Sequence, residues 1–359
     1  MQPRRVLVTG VSRYLGGRLA TLLASMPEIE QVIGVDTVPP KAEIVDPSSR
    51  VEFVRADIRN PLIAKVIAAS QVDTVVHMSV IATPMGAGGR TSMKETNVIG
   101  TMQLLAACQK APSVTKLVVK STSAVYGSSP RDPALFREDM EPKSLPQSGY
   151  AKDAVEVEGY VRGFGRRRPD VLVTLLRFTN FIGPSIDTPL TRYFALPVVP
   201  TVLGFDPRLQ LLHEEDGVEI LRRATLEEHP GTFNVGGDGV LLLSQAIRRA
   251  GRINIPVPSP AVSAVGGIFR RAGMVDFSPE QMRFLAHGRV VDTERLRSTF
   301  GFVPKYTTSE AFDDFVATRA SHKVISPEMV AIGEATAVGL MSRVPRIGSH
   351  ERAKEAVDA

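Results

Sequence analysis

The sequence predicts an α/β protein built on a doubly wound parallel sheet, and three observations carry that prediction. Short β-branched runs alternate with helical stretches through the first half of the 359 residues. Those runs are continuously apolar rather than alternating, which suits strands buried on both faces of a parallel sheet. A glycine-rich turn follows the first run and opens a helix, where backbone N–H groups can receive phosphates.

Six strands are expected in order: "RVLVTG" (5–10), "QVIGVD" (31–36), "VEFVRAD" (51–57), "DTVVHMS" (73–79), "KLVVKSTS" (116–123) and "VLVTLLRF" (171–178). Between them "LGGRLATLLASM", "PLIAKVIAAS" and "SMKETNVIGTMQLLAACQKA" carry helical spacing. After residue 180 the chain turns rich in proline and glycine, which predicts loops and short helices forming a smaller C-terminal substrate lobe. "GTFNVGG" (231–237) reads as a strand returning to the sheet. The expected organisation is a cofactor domain over 1–178 with a returning segment at 207–237, a substrate lobe from 179–206 and 238–320, and a tail over 321–359. Within the tail, "SPEMVAIGEATAVGLMSRV" (326–344) has the pattern of one serine-capped amphipathic helix.

Composition narrows the class. A hydrophobic content of 43% is enough for a sizeable core. The single cysteine, Cys108, excludes an intrachain disulfide framework, suits a reducing cytosol and lies in an apolar run that marks it as core. No run approaches the roughly 18 apolar residues of a membrane-spanning helix. "MQPRRVLVTG" leads straight into a strand without room for a signal peptide, so a cytoplasmic location is expected. The net charge is +5, with arginines in doublets and triplets ("RRRP" at 166–169, Arg222–Arg223, Arg248–Arg249, Arg270–Arg271) expected on solvated helix ends. With no tryptophan and no nucleic-acid motif, the positive balance points to an anionic cofactor or lipid rather than to nucleic acid. The apolar, basic-ended stretch at 261–273 reads as a lobe helix lining a substrate cleft, or as a contact with a lipid surface. His77, His213 and His287 show no metal-ligand spacing, and no metal is expected.

The turn after the first strand contains Gly10, Arg13, Tyr14, Leu15 and Gly16. Asp36 closes the second strand, 26 residues after Gly10. A carboxylate there accepts hydrogen bonds from the adenosine ribose and repels a 2′-phosphate, so NAD is expected rather than NADP.

Taken together these residues resemble the extended short-chain dehydrogenase/reductases, specifically their NAD-dependent epimerase/dehydratase group, over roughly residues 4–320. The group's T-G-x-x-G-x-x-G turn is matched by Thr9-Gly10-Val11-Ser12-Arg13-Tyr14-Leu15-Gly16 of a Rossmann-type sheet. "ADIRNP" resembles its adenine-contacting segment (Asp57, Ile58), and "HMSV" its ribose-side segment (His77). "NVIGT" resembles its N-V-x-G-T helix (Asn97), while "STSAVYG" (121–127) and "LRFTNFIGP" (176–184) match two further motifs. Arg13 stands where the group has its second glycine; it either pairs with a phosphate or blocks the site. The resemblance implies a homodimer paired through helices at about 91–112 and 149–165.

The resemblance also implies a tyrosine acid/base, Tyr150, with Thr122 as its hydroxyl partner and Ser123 beside it. A phenol has a pKa of about 10, so ionising it near neutral pH needs a nearby positive charge. The group uses a lysine four residues beyond the tyrosine, and here Ala154 occupies that place. On a helix, position 154 lies about 40° around from Tyr150, Lys152 about 200°, and Asp153 about 60°. Lys152 therefore points towards Glu156, and Asp153 opposes ionisation. Lys120, just before "STS", is one candidate replacement, and the NAD⁺ ring charge is another. Ala154→Lys is the matching restoration.

Sugar dehydratases of the group carry Asp-Glu after the threonine; Ser123-Ala124 stand here, which disfavours dehydration. Asn180 is expected near a substrate phosphate, and Arg208 lies one residue from the expected diphosphate arginine, where Leu209 stands. The leading expectation is an NAD-dependent sugar epimerase or oxidoreductase, acting on a nucleotide-linked small-molecule substrate. The alternatives are a non-catalytic NAD-binding sensor or scaffold and a lipid or sterol alcohol dehydrogenase.

Overall fold

β1 (Arg5–Thr9), β2 (Gln31–Asp36), β3 (Val51–Arg55), β4 (Thr74–His77), β5 (Lys116–Thr122) and β6 (Leu172–Phe178) lie where the six apolar runs predict them. The computed structural model describes residues 3–79, 89–141, 146, 149–258 and 279–320. The helix expected at 326–344 and the stretch at 261–273 lie outside the described residues. All of these strands are parallel, and β11 (Gly231–Val235) joins them beside β6 as the returning strand. The order across the sheet is β11-β6-β5-β4-β1-β2-β3.

Successive connections run outward from β1 in one direction and from β4 in the other. Loops therefore diverge above the carboxyl ends of β1 and β4, and that divergence opens the crevice used by ligands in such sheets. Burial explains the continuous apolar runs. Val6, Val8, Val76, Val118 and Leu176 face α1 (Tyr14–Ala24) and α7 (Glu214–Leu226), and their neighbours Leu7, Ile33, Val75, Leu117 and Val119 pack on the opposite face. That second face is covered by α2 (Leu62–Ala69), α4 (Gly100–Lys110) and α5 (Gly149–Arg167). Cys108 is buried there, as its apolar run predicts, and burial pushes its thiol up to about 12.

One expected helix is interrupted. The stretch at 91–112 forms α3 (Gly89–Lys94), a π turn over Glu95–Ile99, and then α4. The wider turn inserts an extra residue into the ladder and turns Asn97 inward. Its amide donates to Asp153 Oδ2 at 3.2 Å, while Thr101 Oγ1 donates to the Asn97 carbonyl at 2.5 Å.

Arg168 departs from the expectation that the arginine clusters are solvated. Its guanidinium is folded onto the carboxyl end of α4, donating to the carbonyls of Cys108 (2.9 Å) and Val114 (3.0 Å). The Cys108 carbonyl lies in the last turn of α4, where a cation meets the negative end of the helix dipole.

Beyond β6, β7 (Asn180–Ile182) pairs with β10 (Leu211–His213), β8 (Val198–Val202) with β13 (Ile253–Val257), and β9 (Arg208–Leu209) with β12 (Leu241–Leu242). α6 (Pro189–Ala195), α8 (Leu243–Arg249), α9 (Pro279–His287), α10 (Glu294–Ser298) and α11 (Thr308–Ala320) complete the described elements. Among the described residues no helix is long and apolar enough to cross a membrane.

Candidate active site

Gly10 ends β1 with φ +76°, a conformation open to glycine and strained for other residues. A Cβ at Gly16 would collide with the Gly10 carbonyl, so the first turn of α1 can close on the β1 loop only without a side chain. Arg13 is the residue preceding α1, and no side chain caps that helix. Its first N–H groups are thus left for a ligand.

A cleft of about 220 Å³ lies at this end of the sheet. Gly10, Arg13, Tyr14, Leu15 and Gly16 line it together with Lys120, Thr122, Tyr150 and Asn180. The cofactor turn and the tyrosine pair are therefore brought together, along with Asn180.

Three cations line this cleft, and one of them, Arg192, is paired with Asp187. Arg13 and Lys120 are partly buried, their charges act on each other, and burial lowers both; Lys120 falls to about 8. The attraction of Asp36 partly offsets this for Arg13. Like charges brought together at a desolvated site favour an anion between them.

Asp36 holds its carboxylate at the end of β2 by accepting the N–H groups of Ser12 (3.1 Å) and Thr37 (2.7 Å). The glycine cradle, the uncapped helix end, the facing cations and the oriented carboxylate fit a dinucleotide, with its diphosphate towards Arg13 and its ribose towards Asp36.

Asp57, Ile58, His77 and Arg208 lie outside the cleft lining. Asp57 is clamped by Arg59 at 2.6 Å, which holds its carboxyl below the usual range. Ile58 is buried, and a Cβ on Gly100 would run into it. The His77 ring is enclosed between the hydroxyls of Thr9 (3.0 Å) and Thr101 (2.8 Å), and burial lowers it to about 4. It joins β1 to α4 as a neutral imidazole. The Tyr14 hydroxyl donates to Glu214 Oε1 at 2.7 Å, so only its ring is left to face the cleft. Arg208 is exposed, donates to the Ala134 carbonyl at 3.1 Å and lines a second cavity of about 320 Å³ with Phe205, Asp206, His287 and Arg289.

At the catalytic end, Thr122 terminates β5. Its Oγ1 accepts the Ala124 N–H at 3.2 Å, and the hydroxyl lines the same cleft as the Tyr150 phenol, whose ionisation it favours. Tyr150 sits in the first turn of α5, after Gly149 at φ +76°. Burial raises the phenol above its ordinary range; Thr122 and the charge of Arg289 lower it, while Glu280 and Asp153 raise it further. Asp153 does oppose ionisation, as its angular position predicts, but it is fully buried and paired with Arg90 at 2.5 Å. Desolvation is the larger cause.

Ala154 is buried among Val125, Tyr126, Phe136 and Val291. A lysine there would have to displace two stacked rings, Tyr126 and Phe136, whose centroids are 4.6 Å apart. Ala154→Lys is therefore expected to lower stability by about 1–3 kcal/mol through overpacking, without increasing turnover. Thermal melting of the variant beside the wild type checks this.

Sequence reasoning missed Arg289, Glu280 and Arg177. The first two follow a stretch outside the described residues and carry no motif. Arg177 belongs to "LRFTNFIGP", but its role appears only in three dimensions. Its guanidinium is forked onto Glu158 (2.7 and 3.0 Å) and donates to the Tyr126 hydroxyl at 2.7 Å. Among the described residues no group of three or more His, Cys, Asp or Glu could hold a metal ion.

The model of the NAD-dependent epimerase/dehydratase family matches residues 6–236, which span the glycine turn, Thr122, Tyr150 and Asn180. The chain belongs to that family. The family's cofactor is NAD. An uncharacterized Mycobacterium tuberculosis protein is 52% identical over 341 residues, covering 95% of this chain and 91% of that relative. The rice protein UDP-glucose 4-epimerase 2 is 31% identical over 197 residues, covering 50% of this chain and 45% of its own length. Solved structures share the fold. The UDP-glucose 4-epimerase of Thermotoga maritima superposes with a TM-score of 0.68 at 19% identity, over 89% of this chain and 99% of its own. The dTDP-glucose 4,6-dehydratase of Bacillus anthracis in complex with NAD gives 0.67 at 20% identity, over 89% and 97%.

Within the family, Asp36 carries a consequence for cofactor choice. A 2′-phosphate would lie against its carboxylate, so calorimetric titration is expected to show NAD⁺ binding at least about tenfold more tightly than NADP⁺. Asp36→Asn should narrow that ratio.

Proposed function

We propose that this family member is an NAD-dependent epimerase or oxidoreductase acting on the sugar hydroxyl of a nucleotide-linked substrate. The observation that carries the reading is the Thr122 hydroxyl and the Tyr150 phenol lining one cleft with the glycine turn and Asn180. Bound NAD supplies the hydride acceptor. Thr122 orients the reacting hydroxyl, and the Tyr150 oxygen takes its proton in oxidation and returns it in reduction. Burial keeps the resting phenol protonated at neutral pH, the form suited to reducing a ketone. Alcohol oxidation therefore gains with rising pH.

Dehydration is not part of the reading, because Ser123 and Ala124 provide no carboxylates beside Thr122. The substrate lobe is assigned to residues 179–206 and 238–320, with the sugar at Tyr150 and the nucleotide towards the cavity lined by Arg208 and Phe205. The epimerase relatives and fold neighbours support a nucleotide-sugar class. Incubating the NAD⁺-loaded protein with a panel of UDP- and dTDP-sugars, followed by proton NMR of the products, tests the reading. An inverted or oxidised sugar carbon supports it, whereas unchanged sugars throughout favour the sensor or scaffold reading.

A homodimer through α4 and α5 belongs to the same proposal. Met102 and Tyr160 leave large apolar side chains exposed on this helix pair, at 40% and 39%, with Ile99 of the preceding π turn at 44%. Met102→Glu is expected to shift the protein from dimer to monomer in light scattering, with an unchanged circular dichroism spectrum.

A further inference from the structure

The Tyr150 phenol is half-buried and feels two carboxylates, Glu280 and Asp153, so a tyrosinate there needs a cation close by. On α5, position 154 is Ala154, buried in one cluster with Tyr126 and Phe136. Lys120 lines the same cleft, but its charge falls on Arg13 and His77, at the glycine-turn end.

We propose that Arg289, which lies just beyond α9, supplies the charge that a lysine on α5 would otherwise bring, acting as a positioning residue on the Tyr150 oxygen. The proposal rests on the acid/base reading of Tyr150.

Three features fix Arg289 for this role. Its Nε donates to the Gly127 carbonyl at 2.6 Å, and its two terminal nitrogens reach Ser128 Oγ (3.1 Å) and Ser123 Oγ (3.5 Å). Ser123 adjoins Thr122, whose hydroxyl lines the cleft with Tyr150, so the guanidinium is anchored to the same strand end as the reacting pair. The guanidinium carbon lies 5.4 Å from the centre of the Phe284 ring, and the preceding Gly288 turns at φ +67° against the Arg208 backbone. A planar fork held at several points keeps its charge in one place. Arg289 also lines the second cavity, so a ligand in that cavity would meet the charge that Tyr150 feels.

The charged groups facing this pair come from several elements. Glu280 of α9 accepts the Ala151 N–H at 3.1 Å and opposes Arg289 in its effect on Tyr150. Asp153 of α5 is paired with Arg90 of α3, and Asp132 attracts Arg289 from the loop after β5. Arg283 shares a small pocket with Glu280 and Arg289. Lys120 and Arg13 line the cleft that Tyr150 also lines. Arg289 and Glu280 thus form an antagonistic pair across one phenol.

The test uses the NAD⁺-loaded protein with all six tyrosines replaced biosynthetically by a difluorotyrosine, whose ring fluorines bring phenol ionisation down into an accessible pH range. Fluorine NMR follows each titration, and the resonance missing in Tyr150→Phe identifies Tyr150. Arg289→Met is expected to raise its midpoint by about one pH unit or more, Arg289→Lys to restore most of that shift, and Glu280→Gln to lower the midpoint. An unchanged midpoint in folded Arg289→Met, or an equal shift in Arg289→Lys, overturns the proposal. If Arg289→Met does not fold, Glu280→Gln and Arg289→Lys decide it alone: no downward shift in the first, or a full unit upward in the second, overturns it. The acid/base reading stands apart from these results, because it is judged by the turnover of Tyr150→Phe.

Discussion

Tyr150→Phe is expected to reduce hydride transfer by about 10³-fold while leaving the fold and NAD⁺ affinity unchanged. The substitution removes only the oxygen that moves the proton. The ring stays, packed against the apolar face beneath α4 and α5, so little burial is lost. Thr122 keeps its cap on Ala124, which preserves the end of β5. The pH dependence gives the same claim a sign. Because burial holds the wild-type phenol above its ordinary range, alcohol oxidation should rise about tenfold per pH unit from neutral to alkaline pH, without a plateau before roughly pH 9. Ketone reduction needs the protonated form and should be flat over the same interval. Tyr150→Phe should flatten the first profile as well as lower it. Initial rates of NADH formation and consumption, measured over this range for both proteins, check the prediction.

The second large effect concerns stability. Arg177→Met is expected to cost about 3–5 kcal/mol, lowering the melting temperature by roughly 10 °C. Arg177 lies on β6 opposite Ser121 of β5, and its fork is closed by Glu158 of α5. Ser121 Oγ also donates to Glu158, at 2.6 Å. The Tyr126 hydroxyl, which receives from Arg177, donates to Asn234 of β11 at 2.8 Å. One buried network therefore joins three strands to the helix carrying Tyr150. Removing the cation leaves the Glu158 carboxylate, which is 2% exposed, with only Ser121 and the solvated Arg162 at 3.4 Å. An apolar replacement of the pair removes that penalty, so Arg177→Met with Glu158→Met should recover much of the loss. Thermal denaturation of the two single variants and the double variant measures the coupling directly.

How much of this could be read in the chain depends on how local the cause is. Strands such as β1 and β4 are legible because both faces are buried, and burial on both faces leaves a continuous apolar run. Gly10 and Gly16 are legible because a turn that admits backbone close to phosphate leaves no room for a Cβ. The π turn at Glu95–Ile99 is not legible: its sequence has ordinary helical spacing, and the Asn97–Asp153 bond that accompanies the extra residue is a contact with α5, far along the chain. Arg168 reads as one of three consecutive surface arginines until the end of α4 is seen to lie beneath it.

The charge environment of Tyr150 divides along the same line. Helical angles place Asp153 correctly beside the phenol, yet they say nothing of Arg90, which pairs with it from α3. The cation acting on Tyr150 comes from position 289, far beyond any local window, whereas the sequence neighbour Lys120 faces the glycine-turn end. A vacancy on the helix is visible in sequence. What fills it across the fold is not.

The central claim, that Thr122 and Tyr150 pass a substrate proton in a site holding NAD, is tested most directly by single-turnover mixing of NAD⁺-loaded protein with the same nucleotide sugars, at mildly alkaline pH. The account predicts a transient rise in NADH absorbance for at least one of them, about 10³-fold slower or absent in Tyr150→Phe. Tight NAD⁺ binding with no NADH signal from any of them, or an equal signal in the Tyr150→Phe protein, would contradict it.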